Sequence, residues 1–153
     1  MNLFFTILIE IIIAILATSA FLILYNAPKK QWLAGGLIGG ISWLAYRLCC
    51  FKTTTVISAF IATLIITFLA RAFAVVRKAP VTVFLIAGIF PLVPGVGIYY
   101  TAYYFIMSDF ALAGVKGVDT LKTALAIALG IICMLSIPQK LFLLFDKKTQ
   151  QAS

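Results

Sequence analysis

Phe90-Pro91-Leu92-Val93-Pro94-Gly95-Val96-Gly97 lies near the middle of an apolar run that extends from Val81 to Met107. Two prolines and two glycines in such a run need a physical account. Proline has no N–H to donate, and its ring clashes with the preceding turn. A helix continuing through Pro91 and Pro94 would therefore leave the carbonyls of Ala87 and Phe90 without partners. Gly95 and Gly97 accept backbone angles that other residues resist. The stretch reads as a helix that stops near Phe90 and restarts near Ile98, each half about ten residues and roughly 15 Å long. The break then falls close to the midplane of a bilayer. Unsatisfied backbone at that depth cannot face lipid; it is buried in protein or lines a wet cavity. Discontinuous helices of this kind form substrate sites in many transporters. The second half-helix offers free N–H groups and the positive end of a dipole, which suit a carboxylate. Tyr99, Tyr100 and Thr101 follow at once and add hydroxyls. The competing reading is a proline kink used only for packing.

The rest of the chain makes the bilayer the right setting for this break. Of its 153 residues, 64% are hydrophobic and 10% charged, against roughly 45–50% and about 25% in soluble domains. The mean hydropathy of +1.17 is that of a chain whose solvent is lipid. We expect an all-α polytopic membrane protein: one domain over 1–148, with spans at about 3–25, 31–50, 55–76, 81–107 and 121–145. The segment Ser108 to Thr120 reads as a polar loop, and 149–153 as a disordered tail. The first run has no basic residue before it and is long enough to span, so it reads as a membrane helix and not as a cleaved leader. Pro28 ends it and Pro138 kinks or frays the last span, while Asp146, Lys147 and Lys148 close the chain's final apolar run.

The second span carries Gly35, Gly36, Gly39 and Gly40, two overlapping GxxxG patterns that let helix backbones approach closely in lipid. In the third, Thr63 and Thr67 share a face and are expected to bond to backbone or to a neighbouring helix. The net charge of +8 does not indicate nucleic acid, because the basic residues sit at the ends of apolar runs and form neither a stripe nor a tail. Five spans place Lys29, Lys30, Arg71, Arg77, Lys78, Lys140, Lys147 and Lys148 on one side and Arg47, Lys52, Lys116 and Lys122 on the other. That bias puts the C-terminus in the cytoplasm and the N-terminus outside. A re-entrant fourth run would change the parity.

Catalytic chemistry has little to work with. There is no histidine, and the carboxylates are Glu10, Asp109, Asp119 and Asp146. The aspartates flank apolar runs and form no paired-carboxylate site. Cys49, Cys50 and Cys133 have neither zinc nor disulfide spacing. We read the chain as a non-enzyme without metal or cofactor. Glu10 is a candidate proton site, because an ionisable group within a span is a functional hypothesis by default. It lies roughly 10 Å into the first span, where an interfacial role or a pairing with another subunit competes with that reading. Arg47 and Arg71 are candidate carboxylate partners, with snorkelling and topology as their alternatives.

These motifs together resemble the threonine/serine exporter family, in particular its small, C-terminal-half membrane component. Tyr25-Asn26-Ala27-Pro28 is similar to the family's aromatic-Asn-x-Pro end of the first helix. Gly35, Gly39 and Ser42, followed by Arg47, resemble its glycine-rich second helix. Arg71 matches a basic position near the third helix's end. Pro80 and then Phe90-Pro91-Leu92-Val93-Pro94-Gly95 resemble its most distinctive stretch. Trp43-Leu44-Ala45-Tyr46, before Arg47, departs from the family in having no histidine or second polar group. The resemblance implies proton-driven export of small amino acids or of dicarboxylates such as succinate, the latter as in a two-component bacterial relative. It implies a larger membrane subunit as partner, or a homo-oligomer, in a bacterial inner membrane. The expected function is half of a substrate pathway for a small carboxylate. The alternative is a non-transporting scaffold subunit that holds another membrane protein through the Gly35–Gly40 face. A passive channel fits less well, since no ring of charges or carbonyl filter motif is present.

Overall fold

The structure, a computed structural model, describes residues 3–138. Its regular elements are all helical: α1 (Leu3–Leu24), α2 (Trp32–Cys50), α3 (Thr55–Arg77), α4 (Val81–Ile89), α5 (Gly95–Ile106) and α6 (Phe110–Leu135). Single 3-10 turns at Lys29–Gln31 and Phe90–Leu92 lead into α2 and follow α4. Helices α1, α2, α3 and α6 are each long and apolar enough to cross a membrane. The pair α4–α5, bent by 53°, makes a fifth crossing if it is one span.

Helix ends follow local chemistry. Asn26, Lys78 and Ser108 have positive φ, and each ends its helix in a Schellman motif. At Asn26 the N–H groups of Asn26 and Ala27 reach back to the carbonyls of Ile23 and Leu22. The same pairing recurs at Lys78–Ala79 and Ser108–Asp109, and it satisfies carbonyls that the helix end would otherwise orphan. Asp109 then caps α6, its carboxylate accepting from Leu112 N at 3.1 Å. The turn between α5 and α6 is therefore tight, and the loop expected over 108–120 is mostly helix. The last span begins at Phe110 instead of Leu121 and ends at Leu135, three residues before Pro138. The expected stretch to Phe145, the closing charges and the tail fall outside the described residues.

The core is where α2, α3, α4 and α6 meet, and it is built from small and branched side chains: Ala34, Ile38, Ala59, Ala62, Ile66, Ala70, Phe84 and Ile127. Alanine and glycine at these contacts let the backbones come close, which supplies packing where lipid removes the hydrophobic drive. Gly88 of α4 sits against Ile66 of α3 and Ile38 of α2, with no room for a methyl. Thr63 and Thr67 bond to the carbonyls of Ala59 and Thr63 one turn back at 2.7 and 2.8 Å, so these buried hydroxyls are satisfied within α3, as expected.

The four glycines of α2 are buried against α1. A Cβ at Gly35 would strike Leu22, one at Gly36 Ser19, one at Gly39 Thr18, and one at Gly40 Ile15. This chain's own first helix thus covers the glycine face, and the scaffold alternative loses the surface it needs. At the other end of the bundle, Arg77 donates to the Lys30 carbonyl at 3.3 Å, which puts the α1–α2 and α3–α4 turns on one side. Helix α6 ends beside Arg71, whose guanidinium donates to the carbonyls of Met134 and Leu135 at 2.6 and 3.4 Å. Since α6 starts at the far end and returns here, the bent α4–α5 pair leads the chain from this end of the bundle toward the other.

Candidate functional site

Ile66, which packs on Gly88, is the middle residue of α3. Helix α4 therefore gives out just past the middle of the bundle. Pro91 lies within the 3-10 turn and Pro94 caps α5. The buried Ser42 donates to the Gly88 carbonyl at 3.1 Å, and Val93 N reaches the Phe90 carbonyl at 3.2 Å. The break's polar backbone also includes the opening turn of α5, where the N–H groups of Val96 and Gly97 have no intrahelical acceptor.

The break lines a cavity of about 390 Å³. One wall is the backbone from Pro91 to Gly97. Trp43 and Tyr46 of α2 and Thr55 at the start of α3 form the second wall. The third is a face of α6 carrying Lys116, Asp119, Thr120 and Thr123. Tyr46 and Thr55 bring the cavity to the α2–α3 end of the bundle. A larger groove of about 700 Å³ runs down the other side of the α5–α6 pair, lined almost wholly by apolar side chains such as Ile98, Phe105 and Leu121. Its walls suit acyl chains, so the polar, smaller cavity is the better candidate for a small solute.

Of the residues singled out in the sequence, Pro91, Pro94, Gly95 and Gly97 line this cavity. The glycines do so for a reason different from the one expected, since no glycine among the described residues has a positive φ. Gly97 is required for close approach: a Cβ there would strike Thr120 of α6. Gly95 faces open space, with no atom within 4 Å of its Cβ position. Thr101 lines the apolar groove and donates to the Gly97 carbonyl at 2.7 Å. The structure does not bring Tyr99 and Tyr100 to the cavity. They are exposed on α5 and stack on Tyr103 and Tyr104 one turn along.

Glu10 and Arg47 come together on the far side of Trp43. The Arg47 Nε lies 2.7 Å from Glu10 Oε2, at an angle that makes an ion pair without a well-aligned hydrogen bond. The same oxygen accepts from Trp43 Nε1 at 3.1 Å. Glu10 borders a small cavity with Trp43, Phe90 and Pro91, so the indole and Pro91 stand between the carboxylate and the break cavity. Arg71 is not at the break; it caps α6. Sequence reasoning missed Trp43, Tyr46 and the α6 face. The spacing 116, 119, 120 and 123 is one helical stripe, visible only once Asp109 is read as an N-cap. Among the described residues no cluster of His, Cys, Asp or Glu is fit to hold a metal ion.

A membrane bundle whose interrupted helix lines a partly polar cavity has an architecture that transporters use for their substrate sites. The family model described as Threonine/Serine exporter, ThrE matches residues 10–137, and the chain belongs to that family of exporter-type transporters. No curated protein and no solved structure matches it.

Proposed function

We propose that this chain is one subunit of a secondary exporter of small carboxylate-bearing metabolites, such as threonine and serine or a dicarboxylate like succinate, in the inner membrane of a bacterium. The observation that carries the reading is the break cavity. Its floor is the N-terminus of α5, where the Val96 and Gly97 N–H groups and the helix dipole favour a carboxylate. The ion pair of Glu10 with Arg47, one indole away, is the proposed proton-coupling element. A larger membrane subunit completes the pathway. Support for a partner comes from α5, which has no buried residue and, among the described residues, packs chiefly on α6. Its free face is a ladder of aromatic rings.

The test is efflux of preloaded labelled threonine, serine and succinate from cells without their own exporters. The chain is expressed alone and then with the large membrane subunit encoded beside it. Efflux that needs both subunits and stops when the proton gradient is collapsed is the expected result. Pro94→Ala with Gly95→Ala should then abolish efflux while the complex still assembles. A stable wild-type complex that moves none of the three would rule out the proposed substrate class.

A further inference from the structure

The α6 face of the cavity says more about the solute than the helix N-terminus does. We propose that Lys116, Asp119, Thr120 and Thr123 form a subsite that reads a zwitterion, so that the cavity selects an amino acid over a dicarboxylate. This assignment rests on the transport reading given above and narrows it.

Residues 116, 119, 120 and 123 of α6 fall on one stripe, and all four line the break cavity. The stripe carries one cation, one anion and two hydroxyls. Thr120 Oγ1 donates to the Lys116 carbonyl at 2.7 Å, and Thr123 Oγ1 to the Asp119 carbonyl at 3.0 Å. A hydroxyl has a single proton, so both oxygens present only lone pairs to anything else. Together with the Asp119 carboxylate they are three acceptors, and an α-ammonium has three N–H donors to give. Opposite them the opening N–H groups of α5 are donors, and Lys116 adds a positive charge. An α-carboxylate is complementary to those. A dicarboxylate would place its second carboxylate against the Asp119 charge and two lone-pair oxygens, a repulsion that Lys116 would have to offset while also serving the first carboxylate.

The competitor for Asp119 is Lys122, 3.6 Å away and three residues on in the same helix. Both side chains are well exposed, at 67% and 60%. An exposed pair of this kind is weak, and Lys122 does not line the cavity, so an ammonium inside it can take over the carboxylate. Gly97 belongs to the same device. Its missing Cβ is what lets Thr120 meet the start of α5, so that acceptors on α6 and donors on α5 lie side by side.

The experiment compares wild type, Asp119→Asn, Asp119→Glu and Lys122→Gln, each full-length, co-expressed with the neighbouring subunit and purified into lipid nanodiscs. Binding of labelled threonine is measured directly, with competition by succinate and by the analogue of threonine whose amino group is replaced by hydroxyl. The same proteins are tested for efflux in cells. Wild type should bind threonine and be displaced weakly by both competitors. Asp119→Asn should bind threonine at least tenfold more weakly while its affinity for the hydroxy analogue is unchanged or better. Asp119→Glu should recover most of the threonine affinity, and Lys122→Gln should match wild type. Threonine affinity unchanged in Asp119→Asn, or lost equally for threonine and the hydroxy analogue, overturns the assignment. So does tighter binding of succinate than of threonine by wild type. Wild-type binding with these selectivities but without efflux would sink the transport reading and leave the subsite standing.

Discussion

At the scale of single residues, the two glycines after Pro94 separate cleanly. Both were legible as unusual in a helix, but the sequence gives them one role and the packing gives them two. A Cβ at Gly97 would strike Thr120, and one at Gly95 meets nothing. Gly97→Ala therefore overpacks the α5–α6 contact and should cost about 1–3 kcal/mol, with loss of efflux. Gly95→Ala should lie within about 1 kcal/mol of wild type and on the stabilising side, because alanine is the better helix former. Thermal melting of the purified protein checks both. Equal melting temperatures for the two variants would refute the close-approach role of Gly97. The same lesson applies to Tyr99 and Tyr100. Their hydroxyls follow the break in sequence, yet α5 turns them outward, and no local pattern tells which way a bent half-helix rotates. Lys116 and Asp119 were hidden for the opposite reason. Next to Gly114 and Gly117 they look like a loop, whereas Gly117 in α6 is a contact point that receives Thr101.

At the scale of elements, the apolar runs and their ends were readable because lipid demands long helices and proline stops them. The α4–α5 break was readable too, since Pro91 and Pro94 remove two donors three residues apart. What the runs do not carry is which helices touch. The clasp between α1 and α2 illustrates this. Glu10 and Arg47 are 37 positions apart, and only the glycine-mediated approach of α1 to α2 sets them 2.7 Å apart. Both side chains are a little under a third exposed. Their coupling should therefore fall between that of surface pairs and that of buried ones, about 1–2 kcal/mol in a double-mutant cycle. Glu10→Gln and Arg47→Gln should each destabilise, and the double variant should cost less than their sum. If Glu10 carries the coupled proton, Glu10→Gln keeps threonine exchange across the membrane but no longer responds to the proton gradient. A strictly additive cycle, with gradient-driven efflux intact, would leave the pair a surface contact.

At the scale of the whole molecule, the side on which the cavity opens decides what the structure means for transport. Arg77 meets the Lys30 carbonyl, so Lys29, Lys30, Arg77 and Lys78 share one end of the bundle, and Lys52 with the cavity mouth at Thr55 lies at the other. On the positive-inside rule we propose that the first end faces the cytoplasm. On that proposal the break cavity, which reaches from mid-bundle toward Thr55, would open outward, the state in which an exporter releases its solute. The expectation is testable by thiol labelling in a background where Cys49, Cys50 and Cys133 are replaced by serine. With a membrane-impermeant maleimide added to intact cells, Lys52→Cys should label and Lys30→Cys should not. Lysed cells should label both. Thr55→Cys should label from outside and be protected by added threonine, because it lines the cavity without belonging to the α6 stripe. Labelling of Lys30→Cys alone would invert the orientation, and the cavity would then be the entry side of the pathway. Labelling of both in intact cells would mean that α2, which joins Lys30 to Lys52, does not cross the bilayer.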